Sequence, residues 1–253
     1  MRLSKHTTTT AADALTDVEV AVLPVGSTEQ HGPALPLGTD FIVADALAEA
    51  IADRSDVAVL PTLPVGVSEH HRQFHGTLWT EPETFEQLVS ETITSIASHG
   101  VRKAVVVNGH GGNTDALRRA ARRLRQDEIA FAPPWNWWES IEALTAELFD
   151  AEGGHAGAAE TSMVLEVAAE QVREEQLDAA GEGAPDSWGR SVHGAALGFD
   201  TIDFTETGAV GAPAAGSREA GSELFDAATE ELDALVDWLA SQAFDALLPE
   251  AHL

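Results

Sequence analysis

Three short segments of this chain hold residues that can bind metal ions and move protons. GSTEQHGPALPLGTD carries Glu29, His31 and Asp40, NGHGGN carries Asn108, His110 and Asn113, and GGHAGAAETS carries His155 and Glu160. Glu29 and His31 stand two apart, so in an extended segment both side chains point to one side. Asp40 returns from a loop whose path Pro33, Pro36 and neighbouring glycines restrict. His110 lies between glycines, where the backbone turns sharply and can approach an ion closely. Glu160 is expected in the first turn of a helix. Two imidazoles and three carboxylates make a mixed nitrogen and oxygen donor set suited to zinc, manganese or iron rather than calcium. Five protein ligands exceed what one catalytic ion with an open position uses; they suit two ions that share a carboxylate and a water. Taken singly, NGH is a tight turn and Glu160 a favourable helix N-terminus. It is their joint placement at strand and helix ends that points to a site.

The elements that must position these residues follow from hydrophobic periodicity. Val18–Val25 and Val57–Leu60 read as strands, and Val101–Val107 is a continuous β-branched run that suggests a strand buried on both faces. A short strand is expected at 129–131, followed by a tryptophan-rich loop, APPWNWW. Helices are expected at 41–53, 81–99, 114–126, 139–150, 158–170 and 217–244. The stretch 178–216 has no clear period and is long enough to be a functional loop or hairpin. Alternating strands and helices predict an α/β fold, with a mostly parallel sheet of about five strands covered by helices on both faces. No linker separates two cores, so residues 1–253 are read as a single domain. In such a sheet ligands bind beyond the carboxyl ends of the strands, where the three segments lie.

Composition excludes several classes of function. The chain has 253 residues, with 14 basic against 42 acidic residues, a formal net charge of −28. Such a polyanion is repelled by nucleic acid and by anionic membranes. It has no cysteine, which removes disulfide scaffolds, zinc-thiolate sites and cysteine nucleophiles. No apolar run approaches the ~20 residues of a membrane span, and the N-terminus has no apolar signal segment; a cytoplasmic protein is the expectation. The acid excess, with lysine only at 5 and 103, resembles proteins of salt-loving organisms. The arginines of TDALRRAARRLRQDE read as a solvated helix face.

The segments LPVGSTEQHGPALPLGTD, VVVNGHGGN and GGHAGAAETS resemble the signature segments of the creatininase family, in order, from about residue 18 to residue 165. The resemblance implies a three-layer α/β/α fold, two divalent metal ions per subunit (Zn, Mn or Fe), a small-molecule amide substrate and a homo-oligomer, a hexamer being common in the family. It implies that Glu29 and His110 bind one metal, that His31 binds the other, and that Asp40 bridges them. An acidic family ligand two residues after the NGH histidine is replaced here by Gly112, so Glu160 takes that role, as in the NGHGGN branch. His155 matches a histidine that assists catalysis, with Glu160 as a second catalytic group if it is not metal-bound. Trp137 and Trp138, with Trp135, fall where a substrate-closing loop lies. His75 replaces a proline in FHGT, and Ala212 replaces an aspartate in GAVGAP. The implied activity is hydrolysis of a non-peptide C–N bond, of a cyclic amide or formamide, by a metal-activated water. Alternatives are a formamidopyrimidine nucleotide deformylase of flavin and deazaflavin synthesis, a mycofactocin-precursor peptidase, or a non-catalytic metal-stabilised scaffold. For a phosphate-bearing substrate, Arg72 and Arg102 are the available cations.

With a net charge of −28, the folded chain is expected to gain stability as salt rises, because screening weakens repulsion among surface carboxylates. The melting temperature should climb between dilute buffer and molar KCl; a flat or falling value contradicts this.

Overall fold

The computed structural model describes residues 1–149 and 154–249. Four strands, β1 (Val20–Val25), β2 (Val57–Val59), β3 (Ala104–Asn108) and β4 (Pro134–Asn136), form one parallel sheet in the order β2-β1-β3-β4. The chain leaves β1 toward β2 on one side and reaches β3 on the other. The C-terminal ends of β1 and β3 therefore flank the point where the strand order reverses, and a crevice opens there.

The strands are buried on both faces, as their near-continuous valine and alanine content requires. One set of alternate residues, including Val20, Val22, Val57, Val59, Val105 and Val107, packs with α2 (Thr39–Ala50), α7 (Ala158–Ala168) and α9 (Arg218–Ser241). The other set, including Ala21, Leu23, Ala58 and Val106, packs with α3 (Pro82–Ala97) and α4 (Thr114–Gln126). This is the three-layer α/β/α arrangement expected. At the N-terminus, α1 (Thr8–Ala14) is closed by a capping box between Thr7 and Thr10.

Three expectations need correction. No strand forms at 129–131, where only a single bridge joins Phe131 to Lys103. The fourth strand lies instead inside the tryptophan-rich segment, paired in parallel from Val106–Pro134 to Asn108–Asn136. Its prolines made it read as a loop, but β4 is an edge strand, where a missing N–H is tolerated. The sheet thus has four strands rather than about five. The helix expected at 139–150 is broken into α5 (Trp137–Ser140) and α6 (Glu142–Phe149), and Asp150 lies outside the described residues. The stretch 178–216 begins within α8 (Leu177–Gly181). It continues as an exposed antiparallel hairpin of β5 (Ser191–Val192) and β6 (Ala195–Ala196), followed by irregular turns. No helix is long and apolar enough to cross a membrane among the described residues.

Leu232, fully buried in α9, is expected to cost about 2–5 kcal/mol when cut to alanine. Trp238→Ala, on the same helix but 49% exposed, should cost much less. Urea unfolding of both variants checks the assignment of the α9 core face.

Candidate metal centre

Every residue singled out for metal binding reaches the crevice at the ends of β1 and β3. Glu29 and His31 follow β1, His110 follows β3, Asp40 sits in the first turn of α2, and Glu160 sits in the first turn of α7. Helix N-termini favour carboxylates, so two of the three acids have local support. Two glycines let α2 approach. A Cβ on Gly26 or on Gly109 would collide with the backbone of Phe41 or Asp40, respectively. The first turn of α2 thus lies directly on the ends of β1 and β3.

Asp40 is central. Its Oδ1 is 3.0 Å from His31 Nε2 and its Oδ2 is 3.2 Å from His110 Nδ1. Glu29 Oε2 is also 3.2 Å from His110 Nδ1, and Glu160 Oε2 is 3.6 Å from His31 Nε2. The five residues therefore divide into Glu29, His110 and Asp40 on one side and His31, Glu160 and Asp40 on the other. At position 112 a Cβ would collide with Val67 O and His110 Nε2. Glycine is required there, and the second acid beside His31, after Asp40, comes from α7.

The outer imidazole nitrogens define the tautomers. His31 Nδ1 lies 3.2 Å from the Glu29 carbonyl and His110 Nε2 lies 3.0 Å from the Val67 carbonyl. A carbonyl only accepts, so both outer nitrogens carry hydrogen. In a neutral ring the inner nitrogen then presents a lone pair to carboxylates, which is repulsive unless a proton or cation lies between. Both Glu29 oxygens, Asp40 Oδ2 and His31 Nε2 are buried with no hydrogen-bond partner. Unpaired buried charge of this kind is costly, and the donor set fits cations that would relieve it.

Ionisation within the cluster shows the same pressure. Burial acts to lower His31, but Asp40, then Glu160 and Glu29, reverse this and raise it to about 9. His110 is likewise raised despite burial, by Glu29 and Asp40. Burial acts to raise Glu29, yet His110, with His71 beside it, holds it at about 2. Asp40 is lowered by His31 and His110 against its burial. Glu160 goes the other way: burial, with the charge of Asp40, lifts it to about 7 against the pull of His31. The carboxylates thus favour positive charge on both imidazoles.

His155 stands beside the cluster, with Nδ1 3.7 Å from Glu29 Oε1. Its Nε2–H donates to the Gln30 carbonyl at 2.8 Å, and its backbone carbonyl accepts from Val210 N–H at 2.7 Å. Burial and the charge of His31 lower its pKa to about 3, so it is neutral with a lone pair at Nδ1. Trp137 and Trp138 line a cavity of about 770 Å³ over the cluster. Trp137 is buried and its Nε1–H has no partner, whereas Trp135 lies in β4 and packs into the core.

Sequence reasoning missed two buried residues. The Gln30 amide donates to Gly208 O at 3.0 Å and to His71 Nδ1 at 2.9 Å, while its Oε1 accepts from Gly32 N–H at 3.0 Å. His71 then carries its hydrogen on Nε2, 3.3 Å from Glu29 Oε1. The available signals were the position of Gln30 between two ligands and the histidine-rich EHHRQFHGT loop. The two cations considered for phosphate are engaged elsewhere: Arg72 is paired with Asp200, and Arg102 packs on Phe244 and reaches the carbonyls of Glu128 and Ile129.

Comparison with known proteins gives the family and the fold. The family profile described as creatinine amidohydrolase matches residues 4–236. A mycofactocin precursor peptide peptidase of Mycobacterium ulcerans is 36% identical over 65% of this chain and 64% of its own length, so the chain spans a little under two thirds of that relative. The peptidase of the same name from Mycobacterium tuberculosis is 32% identical over 83% of this chain and 81% of its own. A solved structure of creatinine amidohydrolase is 23% identical, with a TM-score of 0.80, covering 96% of this chain and 98% of that one; it shows the shared fold.

Gly109→Ala is expected to push the Asp40 backbone away and to lower bound metal while leaving the sheet intact. Elemental analysis together with circular dichroism tests this; full metal content in the variant contradicts the packing argument.

Proposed function

The chain belongs to the creatininase family, and from that premise we propose that it is a metal-dependent amidohydrolase that cleaves a C–N bond outside a polypeptide backbone, of the cyclic amide or formamide kind. One observation carries the reading: the two oxygens of the buried Asp40 face the inner nitrogens of His31 and His110, at 3.0 Å and 3.2 Å. Glu29, His110 and Asp40 would hold one divalent ion, and His31, Glu160 and Asp40 the other, with Zn, Mn or Fe suited to these donors. When bound, such ions lower the pKa of water and polarise a carbonyl.

The chain's own residues supply the rest. His155 Nδ1 faces the cluster with a free lone pair; it takes a proton and passes it to the leaving nitrogen. The Gln30 carbonyl holds the other ring nitrogen as N–H, so the ring keeps one orientation and one tautomer. Trp137 Nε1–H, buried beside the cavity without a partner, is a donor for a substrate oxygen. Aromatic walls exclude water and strengthen each of these interactions.

A second reading, a peptide-type amide as substrate, is favoured by the cavity of about 770 Å³, more than a small cyclic amide fills. The phosphate-bearing deformylase substrate has less support, because no lysine or arginine lines the cavity among the described residues. A scaffold role would not call for a cavity opening onto the cluster. A homo-oligomer, hexameric by family resemblance, is the assembly proposed.

Asp40→Ala is expected to abolish turnover of an amide panel and to lose more metal than His155→Ala does, since only Asp40 faces both halves of the cluster. His155→Ala should keep its metal and lose about 10²–10⁴-fold in kcat, the usual contribution of a positioned acid–base group. Full metal retention in the Asp40 variant sinks the site assignment.

A further inference from the structure

The cavity is walled by aromatic side chains from two places in the chain. Trp137 and Trp138 come from α5, whereas Trp188 and Phe199 come from the irregular stretch between α8 and α9. Trp188 stands edge-on to three imidazoles, its ring centroid 5.7 Å from His70, 5.6 Å from His71 and 5.7 Å from His155. It also meets Phe204 edge-on at 5.1 Å. Even so, it is 50% exposed. A tryptophan that only filled a core would be covered on both sides.

The segment carrying Trp188 owes its position to the site rather than to the core. Asp200 accepts from both terminal nitrogens of Arg72, at 2.7 Å and 2.6 Å, and from Gln73 Nε2 at 2.6 Å. Thr201 Oγ1 lies 2.9 Å from His71 Nδ1. The hairpin strands between Trp188 and these ties are exposed throughout, so they contribute little burial. The ties fasten the segment to the loop that carries His70 and His71, and they hold the indole over the cluster.

We propose that Trp188 is a specificity-determining residue that holds a flat apolar group of the substrate, neutral or cationic, against its indole ring beside the reacting bond. The proposal rests on the amidohydrolase reading for the reacting bond and names the class of group next to it. An indole offers a large rigid apolar face at small entropic cost. No lysine or arginine lines the cavity among the described residues, and Glu139 and Glu142 do. A carboxylate or phosphate on that flat group would meet like charge, whereas an amine would not.

The probes are benzylamine and methylamine, titrated calorimetrically into the metal-loaded protein. Benzylamine should bind about tenfold more tightly than methylamine, the scale of one aromatic contact. Trp188→Ala should remove that preference and Trp188→Phe should keep part of it, with metal content and melting temperature unchanged in both. A wild-type protein with no preference, or a preference that survives Trp188→Ala, overturns the proposal. Turnover of N-benzyl and N-methyl amides is scored separately. Preference without any turnover leaves Trp188 assigned and removes the amidohydrolase reading; turnover without preference does the reverse.

Discussion

The contact on which the site depends is the seating of the first turn of α2 on the bare backbones of Gly26 and Gly109. Asp40 needs to stand between His31 and His110, which come from the ends of two adjacent strands. Neighbouring strands are about 4.8 Å apart, so a carboxylate that reaches both histidines has to enter at the seam, close to the sheet. Any side chain at 26 or 109 would collide with the α2 backbone and lift the helix. The β2-β1-β3-β4 order opens that seam, and the two glycines let a helix N-terminus into it. The partial positive charge of that terminus then favours the carboxylate it delivers.

Electrostatics explain why this cluster is not a self-sufficient piece of core. Three carboxylates and their facing imidazoles are gathered with no lysine or arginine lining the cavity among the described residues. The carbonyls of Glu29 and Val67 fix the imidazole hydrogens on the outside, leaving lone pairs turned toward anions. Protonation of His31 and His110, both raised by the carboxylates they face, relieves this. Cations held among the carboxylates would relieve it as well, in competition with those protons. The second layer works the same way, because Gln30 uses both ends of its amide and so orients His71 toward Glu29.

Much of this was legible in the sequence, for identifiable reasons. Glu29, His31, Asp40, His110, His155 and Glu160 lie in glycine-rich turns at strand or helix ends, and short polar segments in such places stand out against apolar strands. Gln30 and His71 did not, since a buried glutamine and one histidine among several in EHHRQFHGT carry no spacing rule. Their roles arise from contacts across 41 residues of sequence. The edge strand β4 was hidden by Pro133 and Pro134, whose cost vanishes only where no neighbour needs the N–H. Trp188 was also hidden. The long segment around it read as functional, but only the fold shows which of its residues meets the histidines.

The two halves of the site are built by different means, and this bears on what each does. The cluster stands on strand ends and helix first turns, where buried backbone on every side leaves each side chain little freedom, as a precisely placed set of polar groups requires. The cavity wall is assembled from a broken helix and an exposed hairpin, held by an Arg72–Asp200 pair and a few hydrogen bonds. Loops so tied tolerate substitution and small displacement far better than strands do. A change at Trp138, Trp188 or Phe199 therefore alters the shape offered to a substrate without moving Asp40, whereas a change at Gly26 or Gly109 disturbs every ligand at once. The cluster and the wall over it are thus mechanically separate in this chain.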